Sequence, residues 1–180
     1  LTFNNKTLSE GTYGTAYTST AFDRASNGTG SYTYSIKSGA PTGATINSTN
    51  RTISFTNSTA AGTYNVVVTA TDNNSGKTKD ATMKIVINKA NNAITLNCAS
   101  LTYNGSSKTL ASGGTGVTYS NNTRTSAGSQ TVTITANSGY RFSDGTTSKT
   151  LSCTIAKATP TLTQSATSGS ATTANTASYT

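Results

Sequence analysis

One stretch constrains this chain more than any other, because it occurs twice. Ala61-Gly62-Thr63-Tyr64-Asn65-Val66-Val67-Val68-Thr69-Ala70-Thr71-Asp72 returns from position 127 as Ala127-Gly128-Ser129-Gln130-Thr131-Val132-Thr133-Ile134-Thr135-Ala136-Asn137-Ser138, an offset of 66 residues. That period is the size of a small β-domain, and recurrence at such a period marks an array of like modules. Each copy opens on a small residue followed by glycine, which suits a turn, and continues as a β-branched run. With alternate side chains on opposite faces, Tyr64, Val66, Val68 and Ala70 share one face, as do Gln130, Val132, Ile134 and Ala136. That face is apolar in both copies except at its entry. Each copy is therefore expected to be a central strand whose apolar face lines the core between two sheets.

The rest of the chain agrees with an all-β reading. Of its 180 residues, 32% are hydrophobic and only 10% charged. Threonine is the most abundant residue, which favours half-buried strands over disorder or helix. No segment carries a sustained helical period of apolar residues, so almost no helix is expected. The net charge of +8 raises nucleic acid or an acidic surface as partners. The basic residues are scattered, however, and their tightest group, Lys77, Lys79 and Lys84, reads as a solvated hairpin face. No nucleic-acid partner is expected. No apolar run is long enough to span a membrane, and the chain reads as part of something longer.

Taken in order, residues 1–22 read as edge strands broken at Gly11 and Gly14, with Leu8, Tyr13, Tyr17 and Phe22 directed to the core. A turn at Asn27-Gly28-Thr29-Gly30 follows. Residues 31–37 then alternate, with Tyr32, Tyr34 and Ile36 inward. Short strands at 44–46 and 52–55 precede the repeated strand, and Asn73-Asn74-Ser75-Gly76 forms a hairpin loop into 78–88, where Ala81, Met83, Ile85 and Ile87 share a face. About seven short strands in under 90 residues is the pattern of an immunoglobulin-like sandwich. The second module is read as 89–157, with strands at 93–99, 101–103, 108–111, 117–120, 129–137 and 149–156. Residues 121–124 and 138–145 are read as connections. Lys157-Ala158-Thr159-Pro160 echoes the segment from Lys89, so 158–180 is read as the start of a third repeat or as a linker.

Particular residues carry a resemblance. Tyr34-Ser35-Ile36, Gly39-Ala40-Pro41-Thr42-Gly43-Ala44, Ile46-Asn47, Arg51-Thr52-Ile53-Ser54 and Ala61-Gly62-Thr63-Tyr64, closing on Ala70-Thr71-Asp72, resemble the immunoglobulin-like and cadherin-like repeats of bacterial surface proteins. The likeness covers residues 1–88. Leu101-Thr102-Tyr103-Asn104-Gly105, Ala127-Gly128-Ser129, Ser138-Gly139-Tyr140 and Phe142-Ser143-Asp144-Gly145 resemble a second small repeat of the same kind, found in surface and phage structural proteins. The fold class that follows is all-β, tandem immunoglobulin-like β-sandwiches. The resemblance implies a non-enzymatic structural or adhesive module, extracellular, on a bacterial surface or, alternatively, on a phage virion. Its implied partners are neighbouring repeats of the same chain. Surface glycans, a protein ligand and self-association remain open.

Chemistry is limited by what the chain lacks. Histidine is absent and the acids number five, so Ser-His-Asp triads and His-ligated metals are excluded. Glu10, Asp23, Asp72, Asp80 and Asp144 are spread out, which argues against a multi-carboxylate calcium cage. No cofactor, metal site or catalytic residue is expected. The Asn-X-Ser/Thr triplets, such as Asn27-Gly28-Thr29, arise by chance in so polar a chain. Cys98 follows Ile94 and Leu96 at period two, and Cys153 lies between Leu151 and Ile155, so both point into the core. In immunoglobulin-like topology the first and last strands can be neighbours. The pair is therefore read as a disulfide closing the second module, with two buried thiols as the alternative. A carbohydrate-binding accessory module is a third functional reading. It needs an exposed aromatic platform, and Tyr140 and Phe142 are the only loop aromatics that could begin one.

Overall fold

The computed structural model describes residues 1–92 and 96–161. The described residues are built from strands, with no helix among them. In the N-terminal half, β1 (Lys6–Thr7) and β2 (Gly11–Thr12) are edge pieces, followed by β3 (Tyr17–Thr18), β4 (Tyr32–Ser38), β5 (Thr45–Asn47) and β6 (Thr52–Phe55). The long hairpin of β7 (Gly62–Asp72) and β8 (Thr78–Asn88) completes the set. One sheet has the order β1-β8-β7-β4, with β2 also on β8; the facing sheet is β3-β6-β5. β1 and β2 run parallel to β8, whereas the other pairs are antiparallel. Asn27 and Gly30 carry positive φ, as a turn of this composition requires.

The parity expected from the sequence sets the core. Val66, Val68 and Ala70 are fully buried, and Ala81, Met83, Ile85 and Ile87 face them from β8. Each such aliphatic side chain removed from water contributes about 1.5–3 kcal/mol. The opposite sheet supplies Tyr17, Ile53 and Phe55. Phe3, Phe22 and Tyr34 close one end with ring centroids 5.0–5.8 Å apart, and the Tyr34 hydroxyl accepts from the Ala25 amide at 2.9 Å. Leu8, Tyr17 and Phe22 are buried as expected. Tyr13 is only half buried.

The C-terminal half repeats the scheme in fewer residues. β9 (Ala90–Asn92) leads in, followed by β10 (Leu101–Thr102), β11 (Lys108–Thr109), β12 (Val117–Ser120), β13 (Thr123–Arg124), β14 (Gly128–Ala136), β15 (Tyr140–Phe142) and β16 (Ser148–Ala156). The order β10-β16-β14-β12 reproduces β1-β8-β7-β4, including the parallel first pair, and β11-β13 faces it. β14 is thus the counterpart of β7, and Val132 and Ile134 are as fully buried as Val66 and Val68. The buried side chains fall into two clusters, one drawn from residues 3–87 and one from residues 110–155.

Several local expectations are corrected. Residues 121–124 and 138–145, read as connections, contain the paired strands β13 and β15. Of the first strand expected at 93–99, residues 93–95 lie outside the described residues, and within 96–99 there is no strand, Cys98 forming an isolated bridge to Ala111. Of the repeat or linker read at 158–180, residues 162–180 also lie outside them.

Candidate functional site

Three constructions stand out from the framework: a covalent bridge, a carboxylate at the tip of a hairpin, and a joint between the two halves. The bridge joins Cys98 and Cys153, with Cα atoms 5.3 Å apart. Cys153 lies on the core face of β16 and is buried. Cys98 lies on the other sheet's side, because its backbone pairs with Ala111 and the Ala99 amide donates to the Leu110 carbonyl at 2.8 Å. Two residues later the chain crosses over, and Leu101 and Thr102 pair with Ile155 and Ala156. The disulfide therefore staples the two sheets at the point where the entering chain changes from one to the other. The neighbour relation expected between first and last strands is supplied by β10, three residues past the cysteine.

Asp72 ends β7 on the same parity as Val66, Val68 and Ala70, and it is buried. Its carboxylate accepts from the Thr29 amide at 2.8 Å, the Thr29 hydroxyl and the Asn74 amide at 3.1 Å. It ties the turn after residue 26 to the β7–β8 hairpin. The Thr29 hydroxyl, more than any other partner, holds the carboxyl below the usual range. Asp80 is lowered by Lys37 and then Thr69, and Asp144 is lowered to about 2 by the Thr146 hydroxyl and then Lys149. Asp23 pairs with Lys6 at 2.6 Å, and Glu10 accepts from Asn88 at 2.7 Å. All five acids are thus engaged by the protein itself. No group of three or more Cys, Asp or Glu side chains comes together among the described residues.

These carboxylates set an acid limit. The folded pKa values of Asp72, Asp80 and Asp144 lie below the unfolded value near 3.9, so the contribution of these three is complete above that value and is lost as pH falls through the folded values. Stability is expected to hold above about pH 5 and to fall below about pH 4. Asp72→Asn is expected to lower the N-terminal melting transition at neutral pH and to flatten its acid limb. Thermal melts from pH 2 to 7 measure both, and an acid limb as steep as in the parent would refute the assignment.

The joint explains Tyr13. Its ring meets that of Tyr140 edge-on, with centroids 5.3 Å apart. The Tyr13 amide donates to the Asn88 carbonyl at 2.9 Å, which fixes the ring beside the end of β8. Beyond it, β9 pairs in parallel with β15, opening with the Ala90 amide on the Gly139 carbonyl at 2.8 Å. Arg141 Nε adds a hydrogen bond to Asn91 Oδ1 at 2.8 Å. Gly139 faces the Tyr13 ring and Gly116 the Tyr140 ring so closely that a Cβ on either would sit 2.6–2.7 Å from ring carbons. The two residues considered for a glycan platform are therefore otherwise engaged. Tyr140 packs in the joint, and Phe142 is buried in the C-terminal core. Among the described residues, the large hydrophobic side chain most open to solvent is Tyr103, 42% exposed.

Residues 2–88 match the family model described as "Putative Ig domain". That match spans 87 of the 180 residues, and the N-terminal sandwich is similar to the members of this family. No curated protein matches the chain. Among solved structures, the chain is similar to Sidekick-1 immunoglobulin domains 1-5, at 12% identity and a TM-score of 0.34, covering 87% of this chain and 40% of that one. It is also similar to Drosophila N-cadherin EC1-4, at 12% identity and a TM-score of 0.39, covering 87% and 48%. PcdhgB3 EC1-4 matches at 15% identity and a TM-score of 0.36, again covering 87% and 48%. The chain thus spans less than half the length of each of these structures. Within the Ig domain, the residues quoted from Tyr34 to Asp72 fall on β4 to β7 and the turns between them.

Proposed function

We propose that this chain is a structural and adhesive segment of an extracellular protein on a bacterial surface, made of two Ig-like modules divided near residue 88. The observation that carries this reading is the disulfide in the C-terminal sandwich. Such bonds form and persist in oxidising compartments, and here one joins an Ig-like core on a chain whose other half is an Ig domain. The proposed partners are neighbouring repeats of the same chain, packed through joints like that of Tyr13 and Tyr140. The engagement of all five acids, with no histidine in the chain, supports a non-enzymatic role. A glycan platform has less support, because both of its candidate aromatics are packed within the protein.

The test is to raise antibodies against this chain and label the cells that make the natural protein, intact and permeabilised. Labelling of intact cells, with Cys98 and Cys153 resistant to alkylation until reduced, is the expected result. Signal only after permeabilisation would overturn the reading. Signal on purified virions would replace the cell surface with a phage particle.

A further inference from the structure

We infer that the Cys98–Cys153 bond is a mechanical bypass that keeps the C-terminal sandwich from unravelling between the two cysteines, so that tension along the chain lengthens the N-terminal Ig domain and leaves its neighbour closed. The inference rests on the reading of the chain as a structural segment pulled through its two ends.

The argument is one of connectivity. Tension enters the C-terminal sandwich ahead of Cys98 and leaves it after Cys153. Those residues are bonded to each other, with Cα atoms 5.3 Å apart and a sequence separation of 55. Once β9 has parted from β15, a pull reaching Cys98 therefore passes through the two sulfurs to Cys153, and residues 99–152 carry none of it. Those residues include β10 to β15, the first half of β16 and the buried Leu110, Val132, Ile134 and Phe142. Past the bridge, only Thr154, Ile155 and Ala156 of β16 can be peeled, Ile155 and Ala156 from β10 and Thr154 and Ile155 from the start of β14.

The N-terminal domain has no such bond. Its two ends are held by parallel pairs, Lys6–Thr7 against Met83–Lys84 and Gly11–Thr12 against Ile87–Asn88. Pulling the start of β1 away from the end of β8 slides parallel neighbours lengthwise, so these hydrogen bonds bear the load together and yield together. The same topology recurs in the C-terminal half, where Leu101–Thr102 lie parallel to Ile155–Ala156. There the bond lies ahead of the hydrogen bonds in the load path. Two sandwiches of one topology thus respond oppositely to force, and the difference is a single covalent link.

The bypass is reversible by thiol chemistry. A dithiol such as dithiothreitol gives two electrons and two protons to the disulfide, leaving two thiols on the protein, and is itself oxidised to a cyclic disulfide. Reduction then frees the 55-residue separation, which at about 3.5 Å per residue is about 190 Å of hidden length.

The test is single-molecule stretching of the whole 180-residue chain, held between two reference domains, with and without dithiothreitol and beside the double variant Cys98→Ala, Cys153→Ala. The oxidised protein should reach a final length about 190 Å shorter than the reduced protein, and the variant should match the reduced length without reductant. This readout does not require the variant's C-terminal half to fold, since an unfolded segment adds the same length as slack. Equal final lengths with and without reductant would overturn the inference, as would a release of about 190 Å from the oxidised protein. Neither result depends on where the protein resides, so failure of the surface assignment and failure of the bypass are separable.

Discussion

Replacing both cysteines with alanine is expected to lower the stability of the C-terminal sandwich by about 4 kcal/mol and its melting temperature by roughly 15–30 °C. The bond closes a loop with a sequence separation of 55, and a loop of that length restricts the unfolded chain by this amount in the entropic account. The effect falls on a small core. Among the described residues, the buried ones there are Leu110, Ala111, Val132, Ile134, Phe142, Cys153 and Ile155, against fifteen in the N-terminal cluster. A module of this size has little stability to spare without a cross-link. The N-terminal transition should stay where it is, because the two clusters share no residue. Calorimetry on the parent and the variant would show both transitions. A shift of the C-terminal one by less than a few degrees would mean that the bridge stabilises little.

Gly39→Ala should produce the largest loss available from a single methyl group, about 2–4 kcal/mol, or roughly 10–25 °C in the N-terminal transition. Gly39 has a φ of 75°, and a Cβ there would stand 2.1 Å from the Asn65 carbonyl oxygen. That oxygen belongs to the backbone of β7, so it cannot swing aside as a side chain would. The register between β4 and β7 already shifts between Ile36 and Ser38, and Gly39 lies just past that irregularity. Gly76→Ala separates the two costs. Gly76 has a similar φ of 68° with nothing within 4 Å of its Cβ position, so alanine there should cost only about 1 kcal/mol. Equal losses at the two positions would show that the close approach to Asn65 contributes nothing.

Much of the framework could be read from residue order, and particular positions show why. Val66 and Val68, and Val132 with Ile134, were identifiable as core because strand parity is a property of adjacent residues. The same parity placed Cys153 between Leu151 and Ile155, facing inward. It also carries a further signal: Asp72 shares the parity of Val66, Val68 and Ala70, which marks a carboxylate heading into the core. β13 and β15 are not legible in residue order, because two or three residues show no period. β15 in particular exists through its pairing with residues 90–92, about 50 positions earlier. Phe142 reads as a loop aromatic in sequence for that reason.

The all-β class, the repeated central strand and the face each strand turns inward follow from residue order alone, because these depend on alternation between near neighbours. Which distant groups meet is a property of the assembled fold: Cys98 with Cys153 across two sheets, Thr29 with Asp72, and Tyr13 with Tyr140 at the joint. The physical reason is that β-pairing closes long loops, so strand order and sheet crossing are set by the packing of the whole core and not by the residues on either side of a position.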